Sequence, residues 1–487
     1  MNMRERFVNM TMLTDFYEIT MANGYLRSGM ADVIGYFDAF FRKVPDDGGF
    51  AIMAGLEQII DYIENLHFTD EDIEYLRGKG IFAEEFLEYL RNFEFCCDIW
   101  AIEEGMAIFP NEPIIKVRGP IIQAQFIETA LLLQFNHQSL VATKTNRIVR
   151  AANSRPVMEF GSRRAHGADA AINGARAAYI AGCSGTACTI SDVVYGVPAL
   201  GTMAHSWVQL FESEYDAFAA YAREYPQNCV LLVDTYDVLK SGVPNAIRVF
   251  NDVLAPMGYR PKGIRIDSGD ITYLATKARE MLDDAGFPDC TICASNSLDE
   301  HLIREMLLSG APLDSFGVGE RLITASSAPT FGGVYKLAAI DRDGQHIPKI
   351  KISENVAKLT WPGNKEVWRL FDRDTGKAIA DVVTLAGEVI DDTKPYEIFD
   401  AEFTWKRKVC ENFRAQQLLK PIFVAGKRVY DCPPLSEIRA RCTESVSTLW
   451  REVTRFENPH EYYVDYSQDL WDLRQRLISE IKKSTRS

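Results

Sequence analysis

A single histidine lies where the sequence changes from apolar to polar. Residues 199–207 start with Ala199-Leu200, pass through small residues and turn polar at His205. Buried strands that end at a functional site show this order, with a reactive side chain at the carboxyl end. A lone histidine is more often structural than catalytic, so the interpretation depends on how the other strands of the chain end.

Acidic and amide side chains follow three other apolar runs. Asp234, Asp267 and Asn296 each come directly after a short stretch rich in aliphatic residues. Because active sites of β/α barrels lie at the carboxyl ends of the strands, we expect these side chains and His205 to lie on one side of the fold. Polar residues at several successive strand ends are hard to explain by stability alone, so the pattern indicates an active site.

The same segments predict an α/β fold with a complete or incomplete β/α barrel. Predicted strands recur roughly every 25 to 30 residues, mostly separated by helix-like stretches. They cover 157–161, 186–190, 200–205, 230–235, 263–270, 291–296 and 315–320. A series of this length favours a closed or nearly closed barrel over an open sheet. We predict an N-terminal α+β domain at 1–135, the barrel at 136–345, and a C-terminal region at 346–487 that packs on both.

The flanking regions predict an α+β layer. Apolar alternation predicts strands, and a 3.6-residue period predicts helices. Strands are predicted at 33–41, 93–99, 106–109 and 114–117, and helical regions at 55–90 and 434–484. Within the barrel, the helix after Asn296 should begin at the capping box Ser297–Glu300 and stop at Gly310.

The segment Asp267-Ser268-Gly269-Asp270 places two carboxylates and a hydroxyl around a flexible glycine, at the start of a predicted helix. Oxygen ligands of this kind can hold a hydrated Mg2+, accept hydrogen bonds from ribose hydroxyls, or do both. The alternative is an N-cap turn, because serine and aspartate also cap helices.

Three further features suit a planar, anionic ligand. Arg265 should point the same way as Asp267, and it must find either a buried acid of the protein or an anionic group of a substrate. Gly317-Val318-Gly319 would let backbone N–H groups approach a phosphate, although any tight turn can use glycines. Phe160 could stack on a ring, and Arg163 could meet a phosphate.

The charge balance reverses between residues 137 and 168. In a chain of net charge −15, this segment has one acid, Glu159, among a group of basic residues. The basic residues are Lys144, Arg147, Arg150, Arg155, Arg163 and Arg164. They form either an anion-binding wall or a basic helix face that meets an acidic partner surface.

Composition excludes several classes of protein. A net charge of −15 argues against general nucleic-acid binding, which needs a basic surface. The sequence has neither a signal peptide at its start nor an apolar run of the roughly 18 to 20 residues that a membrane span needs. Its 10 scattered cysteines are typical of a reducing cytosol. Cys290 and Cys293 should point to opposite faces of a strand, which argues against a metal or redox site. We expect a cytoplasmic protein.

Six motifs in sequence order resemble the nicotinate phosphoribosyltransferase family. They are Thr14-Asp15-Phe16-Tyr17, Glu159–Arg164, Gly201–Ser206, Val233–Tyr236, Ile264–Asp270 and Gly332–Leu337. The resemblance covers at least residues 11–340 and runs more loosely to the end of the chain. It implies synthesis of nicotinate mononucleotide and pyrophosphate from nicotinate and 5-phosphoribosyl 1-pyrophosphate (PRPP), coupled to ATP hydrolysis, in NAD salvage.

The resemblance also implies roles for individual residues. His205 matches the histidine that ATP phosphorylates, and Asp267 is the second catalytic residue expected. Tyr17 matches a tyrosine that covers the ring from the neighbouring subunit, which implies a homodimer. Mg2+ is expected to act through substrate and water, without direct protein ligands. The residues expected to bind substrate are Tyr17, Phe160, Arg163, Thr202, Ser206, Asp234, Arg265, Ser268, Gly269, Asp270, Asn296, Gly317 and Gly319.

Two positions bear on which ring is used. Glu320 stands where relatives can carry threonine, so we assign no side-chain contact in the site to it. Ala187 falls close to an aspartate of the related nicotinamide enzyme, and an apolar residue there, opposite Arg265, favours the acid over the amide. The alternatives are the same fold acting on nicotinamide or quinolinate, and an inert relative kept for binding or scaffolding.

Overall fold

The chain folds into two compact units. The computed structural model describes residues 9–353 and 359–484. The first unit combines the residues up to 140 with those from 330 onward, and the second unit consists of residues 141–329. The sequence predicted divisions at 135/136 and 345/346. The second division comes earlier in the structure because residues 334–341 pair with a strand of the first unit at residues 34–40.

The N-terminal part of the first unit mixes strands and helices, as the apolar periodicity predicts. Its strands are β1 (Ile34–Phe40), β2 (Ala51–Ile52), β3 (Asp98–Ala101), β4 (Ala107–Ile108) and β5 (Ile115–Pro120). The helices are α1 (Phe16–Arg27), α2 (Leu56–Glu64), α3 (Asp70–Gly78), α4 (Glu84–Arg91), α5 (Ile121–Phe126) and α6 (Glu128–Ala151), whose residues from 141 onward belong to the second unit. The predicted helical stretch 55–90 is therefore three helices. A capping box between Thr69 and Asp72 starts the second of them.

The second unit repeats short strands and helices. Its strands are β6 (Val157–Glu159), β7 (Gly185–Thr186), β8 (Val230–Leu232), β9 (Gly263–Ile266), β10 (Thr291–Ser295) and β11 (Ser315–Val318). The helices are α7 (Ala168–Ile180), α8 (Thr189–Tyr195), α9 (His205–Leu210), α10 (Glu214–Glu224), α11 (Val243–Val249), α12 (Ile271–Asp284), α13 (Glu300–Leu308) and α14 (Glu320–Ile323).

The C-terminal part returns to the first unit. Its strands are β12 (Val334–Arg342), β13 (Gln345–Pro348), β14 (Lys365–Asp372), β15 (Ala378–Leu385), β16 (Tyr396–Phe399), β17 (Arg407–Cys410), β18 (Phe413–Gln417), β19 (Lys420–Val424), β20 (Lys427–Arg428) and β21 (Val464–Tyr466). The helices are α15 (Leu435–Thr448) and α16 (Gln468–Ser484). The predicted helical region 434–484 is thus two helices with a strand between them.

A seven-stranded sheet organises the first unit, in the order β13-β12-β1-β5-β3-β19-β20. The middle strand β1 pairs antiparallel with both β5 and β12, and five of its seven residues are buried. A four-stranded sheet in the order β18-β14-β15-β21 comes entirely from the C-terminal part. The N-terminal and C-terminal parts of the chain therefore share one sheet.

The second unit is built on a six-stranded parallel sheet in the order β7-β6-β11-β10-β9-β8. Every paired neighbour in it is parallel. Parallel strands covered by helices are apolar along their length, and the leucine and isoleucine residues of β8 to β10 are almost all buried. The predicted α/β class with a parallel sheet is confirmed. Closure of this sheet into a barrel remains a prediction.

The segment before His205 differs from its prediction. Residues 186–190 and 200–205 were predicted as strands, and Val193 and Val194 between them are β-branched residues that favour strands. Val193 and Val194 lie instead in α8, which ends at Gly196 with a left-handed φ of 68°. Beyond it only one parallel bridge forms, between Thr186 and Ala199. Pro198 has no N–H to donate, so this pairing does not extend from Ala199 towards the start of the chain. His205 therefore begins a helix and does not end a strand.

The helix after Asn296 also begins later than predicted. Asp299, and not Ser297, caps α13, since its carboxylate accepts the Leu302 N–H at 2.9 Å. Ser297 has a φ of 49°, outside the extended region that N-cap residues adopt. The predicted stop at Gly310 is confirmed, with a φ of 79° after the last turn.

An arginine–aspartate pair is fully buried inside the first unit. Arg369 donates from Nε and Nη2 to the two carboxylate oxygens of Asp381, both at 2.7 Å, and neither side chain is exposed. Nη2 also donates to the Ala107 carbonyl at 2.8 Å, and the Tyr462 hydroxyl donates to Asp381 at 3.0 Å. One ion pair thereby connects β4, β14, β15 and the chain before β21.

Removing the acid of this pair tests its contribution to stability. We expect Asp381→Ala to lower the free energy of unfolding by about 3–5 kcal/mol, because the Arg369 guanidinium stays buried without its carboxylate. Thermal and urea melts would measure the loss. The matched control is Glu397→Ala in the exposed Arg407–Glu397 pair, which should cost at most about 1 kcal/mol. Equal losses in the two variants would contradict the assignment.

Candidate active site

His205 lies between polar oxygens contributed by two other segments. Its Nδ1 is 3.1 Å from the Thr235 hydroxyl, just beyond β8, and its Nε2 is 3.8 Å from the carboxylate of Asp267, just beyond β9. The second distance is too long for a hydrogen bond but brings a negative charge to the ring. The His205 and Asp267 side chains are 40% and 35% exposed. The imidazole is therefore oriented by the protein and open to a ligand.

Asp267 is itself held by a neighbouring strand. Ala294 pairs with Ile266 in the parallel register, so the next residues, Ser295 and Asp267, lie side by side. The Ser295 hydroxyl donates a short hydrogen bond to Asp267 Oδ1, while Oδ2 faces His205. The two carboxylate oxygens thus have separate roles, one structural and one directed at the histidine.

Arg265 is anchored without an acidic partner. Its Nη1 donates to the Thr202 hydroxyl at 2.7 Å, and its Nη2 donates to the Met203 carbonyl at 3.0 Å. Its Nε is buried and has no hydrogen-bond partner within the described part of the chain. No carboxylate there lies within ion-pair distance of Arg265 either. Of the two partners expected from the sequence, the buried acid is not found, so an anionic ligand would complete the charge balance.

A second pair joins the ends of β8 and β9. The Ser268 hydroxyl donates to Asp234 Oδ2 at 2.6 Å, and Asp234 is 9% exposed. Its other oxygen, Oδ1, is buried without a hydrogen-bond partner among the described residues. Gly269 has a φ of 79°, and Asp270 caps α12 by accepting the Tyr273 N–H at 3.1 Å. Asp270 therefore fits the N-cap alternative, whereas Asp234 keeps an unused acceptor.

Phe160 and the glycine loop form one packed feature. A Cβ added at Gly317 would lie 2.6 Å from the Phe160 ring, and one at Gly319 would lie 3.1 Å from the Phe160 carbonyl oxygen. The Phe160 N–H also donates to the Val318 carbonyl at 2.7 Å. Gly317 is thus required by the aromatic ring, independently of any phosphate. The Phe160 ring and the predicted anion-binding loop Gly317–Gly319 are therefore packed against each other in the second unit.

Three predicted residues are exposed and form no described hydrogen bond to the His205 group. Arg163 lies in the turn Ser162–Arg164, and Ser206 lies in the first turn of α9. Asn296 has a φ of 87°, and its side-chain oxygen accepts only the Ser297 hydroxyl, at 3.1 Å. Their proposed contacts with substrate remain predictions.

Thr235 and Ser295 contact the predicted catalytic residues, but the sequence did not single them out. Thr235 follows Asp234 and Ser295 precedes Asn296, and both of those neighbours were predicted to be site residues. A parallel register places the last residues of adjacent strands beside each other, and that rule would have pointed to Ser295. The Thr235 contact depends on where the loop after Thr202 places His205, which has no comparable signal.

The basic segment 137–168 is explained partly by an internal acid. Lys144 and Arg147 are almost fully buried and contact the carboxylate of Glu300, at 2.8 and 2.9 Å. Arg164 lies 3.5 Å from Glu320 at the surface. Lys144 and Arg147 therefore meet an acid of the second unit and do not line an open anion-binding wall.

Tyr17 lies in α1 of the first unit and is 44% exposed. The next residue, Glu18, is fully buried, and its carboxylate accepts hydroxyl hydrogen bonds from Thr14 and, at 2.6 Å, from Thr129. Burial raises the pKa of Glu18 from 4.5 to about 7, more than these hydroxyls lower it. Burial and the nearby Glu128 also raise the pKa of the Tyr17 hydroxyl. The motif that carries Tyr17 is therefore fixed by a buried carboxyl group.

Several whole-chain features bear on cofactors. Within residues 9–353 and 359–484, no group of three or more His, Cys, Asp or Glu side chains could hold a metal ion. Cys290 and Cys293 are both free and buried, and burial raises the pKa of Cys290 to about 12.

No helix among the described residues is long and apolar enough to cross a membrane. The unpartnered Asp234 oxygen and the half-exposed Asp267 fit a hydrated Mg2+ that arrives with a substrate.

Two family models match the chain at its ends. The nicotinate phosphoribosyltransferase N-terminal domain matches residues 12–136, and the C-terminal domain of the same family matches residues 364–474. Both matched ranges lie in the first unit.

Curated relatives and a solved structure match nearly the whole chain. The nicotinate phosphoribosyltransferase of Bacillus subtilis is 43% identical over 97% of this chain and 96% of its own length. The human nicotinate phosphoribosyltransferase is 30% identical over 96% of both chains. The crystal structure of human nicotinic acid phosphoribosyltransferase superposes with a TM-score of 0.85, at 28% identity, over 95% of this chain and 99% of that one.

The buried Glu18 predicts a pH-dependent stability. Because its folded pKa of about 7 lies above 4.5, the protonated side chain favours folding at low pH, and this contribution is lost as the pH rises through 7. Glu18→Gln keeps an uncharged side chain at every pH. We expect the free energy of unfolding of Glu18→Gln to be close to that of wild type at pH 5. At pH 8 the variant should be more stable than wild type by up to about 3 kcal/mol.

Thermal melts of both proteins between pH 5 and 8 would measure the difference. Glu85→Gln, at an exposed position of α4, is the control and should follow wild type. A Glu18→Gln effect that does not change with pH would contradict the prediction.

Proposed function

The chain belongs to the nicotinate phosphoribosyltransferase family, and on that premise we propose that it converts nicotinate and PRPP to nicotinate mononucleotide and pyrophosphate. ATP hydrolysis is coupled to the reaction through phosphorylation of His205. The observation that carries the proposal is Arg265, a partly buried guanidinium fixed by Thr202 and Met203 and without an acidic partner among the described residues. Such a group needs an anion, and the nicotinate carboxylate supplies one.

Recognition of the ring follows from the same residues. Thr202 and Met203 hold the guanidinium in place, so it is preorganised for a planar carboxylate. Phe160, packed on Gly317, offers an aromatic face for the pyridine ring. The Ala187 side chain has no acceptor for an amide N–H, whereas the Arg265 guanidinium attracts a negatively charged ligand. Together these contacts favour nicotinate over nicotinamide.

The chemical step needs alignment more than acid–base catalysis. The bond between ribose C1 and the pyrophosphate oxygen breaks as the pyridine nitrogen, which is already nucleophilic, forms the new bond to C1. No general base is required. Asp234, Asp267 and Ser268 present oxygen atoms that can accept hydrogen bonds from the ribose hydroxyls, which fixes the sugar relative to the ring. Mg2+, when bound with PRPP, neutralises charge on the departing pyrophosphate.

ATP acts through His205 and not as a donor to the product. An imidazole nitrogen attacks the γ-phosphorus, ADP leaves, and the phosphohistidine is later hydrolysed to phosphate. Thr235 orients the ring from the Nδ1 side, and Asp267 favours the positively charged imidazole that forms during attack. The phosphorylated ring adds negative charge beside the substrate site. The free energy of the coupled ATP hydrolysis shifts the equilibrium towards product.

A homodimer would let Tyr17 of one subunit cover the ring bound by the other, and its exposed side chain in α1 supports this. The enzyme would act in the cytoplasm in the salvage route of NAD biosynthesis, as a ligase-type phosphoribosyltransferase.

Purified protein with PRPP, Mg2+ and nicotinate tests the activity, with ATP present or absent. We expect nicotinate mononucleotide in both conditions and more of it with ATP. In His205→Ala, the stimulation by ATP should fall to about onefold, and radiolabelled γ-phosphate should no longer be incorporated. His166→Ala, at an exposed position of the same unit, is the control and should keep both properties.

The outcomes separate the alternatives. Product from nicotinamide or quinolinate, but not from nicotinate, would overturn the ring assignment. Bound PRPP without turnover of any ring would favour an inert relative. ATP stimulation that survives in His205→Ala would overturn the phosphohistidine alone.

A further inference from the structure

The buried carboxylate of Glu159 connects two segments of the second unit. Glu159 is the last residue of β6 and is 0% exposed. Its Oε1 accepts a short hydrogen bond from the Gly161 N–H, and its Oε2 accepts the Thr186 hydroxyl at 2.5 Å. Both bonds are additional to the main-chain pairing of Glu159 with Thr186 between β6 and β7, and such hydrogen bonds offset the cost of burying a carboxylate.

Through Gly161, the Glu159 carboxylate is connected to the turn next to Phe160, whose ring is the aromatic face of the proposed site. Gly161 begins the turn that follows Phe160, and a Cβ added to it would lie 2.7 Å from the Gly319 carbonyl oxygen and from Ile323. The turn is therefore pressed against the glycine loop that also contacts the Phe160 ring. The hydrogen bond from Gly161 fixes this turn to β6.

Through Thr186, the Glu159 carboxylate is connected to the segment 198–202 that holds Arg265. We call Thr202 and Arg265 together the Thr202–Arg265 wall. The Thr186 N–H donates to the Pro198 carbonyl at 2.9 Å, and the Leu200 N–H donates to the Thr186 carbonyl at 2.8 Å. Two residues after Leu200 comes Thr202, whose hydroxyl accepts from Arg265. The Thr186 hydroxyl also accepts the Cys188 N–H at 2.9 Å, which directs its own hydrogen towards Glu159.

We infer that Glu159 is a positioning residue that sets the separation between the Phe160 face and the Thr202–Arg265 wall. The inference rests on the proposed function, in which these two surfaces bind the pyridine ring from different sides. Glu159 contacts no substrate. Its two oxygens hold the two walls at a fixed distance, because carboxylate hydrogen bonds are short and strong. The PRPP side, with Asp234, Asp267 and Ser268, is held by separate bonds.

Thr186→Val breaks the link on the wall side while keeping the shape of the side chain. We expect the KM for nicotinate to rise about tenfold, since one buried hydrogen bond to a charged group is lost. The kcat and the KM for PRPP should stay within about twofold of wild type. Thr186→Ser, which keeps the hydroxyl, should restore the KM for nicotinate to within about twofold.

A matched control comes from the same unit. Thr145 is fully buried, and its hydroxyl has no hydrogen-bond partner among the described residues. Thr145→Val therefore makes the same chemical change without breaking a bond, and it should leave both KM values unchanged. An increase in the nicotinate KM that also appears in Thr145→Val would overturn the inference.

Hydrogen–deuterium exchange of residues 196–204 tests the same link without relying on activity. Exchange there should be faster in Thr186→Val than in wild type, Thr186→Ser or Thr145→Val. If wild type makes no product from nicotinate, the proposed function fails and exchange alone decides the inference. Unchanged exchange overturns it, as does an unchanged nicotinate KM or an equal rise of the KM for PRPP in an active enzyme.

Discussion

The parallel register of β8, β9 and β10 determines most of the candidate site. Adjacent strands run in the same direction, so the residues that follow them come to one edge of the sheet although they are about 30 residues apart in sequence. Ser295 meets Asp267 across one strand pair, and Ser268 meets Asp234 across the other. A shift of one residue in either pair would turn these side chains to the other face. The hydrogen bonds at the edge therefore depend on the pairing inside the sheet.

Two arginines of this chain differ in whether a carboxylate of the protein pairs with their charge. Arg369 is fully buried and has a bidentate carboxylate partner, so its charge is satisfied within the fold. Arg265 uses a hydroxyl and a carbonyl as acceptors and keeps its net positive charge. Neutral acceptors fix the direction of a guanidinium without cancelling its field. The charge of the first arginine is paired inside the fold, and the second is positioned to attract an anion.

The sequence predicted the parts of this structure that local patterns control. The apolar run before Asp267, the strand at β1 and the stop at Gly310 all follow from periodicity and glycine conformation. The helix at Val193 and Val194 was not predicted, because β-branched residues favour strands and only the absence of a pairing partner decides against one. Contacts such as Thr235 with His205, or Arg265 with the Met203 carbonyl, depend on loop geometry. A main-chain carbonyl leaves no signal in residue type.

The close packing of Phe160 on Gly317 makes the two positions a single steric unit. The ring already fills the space that any side chain at 317 would need, so even one added methyl group would force the ring to move. A larger residue at 317 could be accommodated only with a smaller one at 160, and that exchange would also remove the aromatic face. Variation at these positions is therefore coupled. A library that randomises the ring pocket one position at a time would miss the combinations that fold.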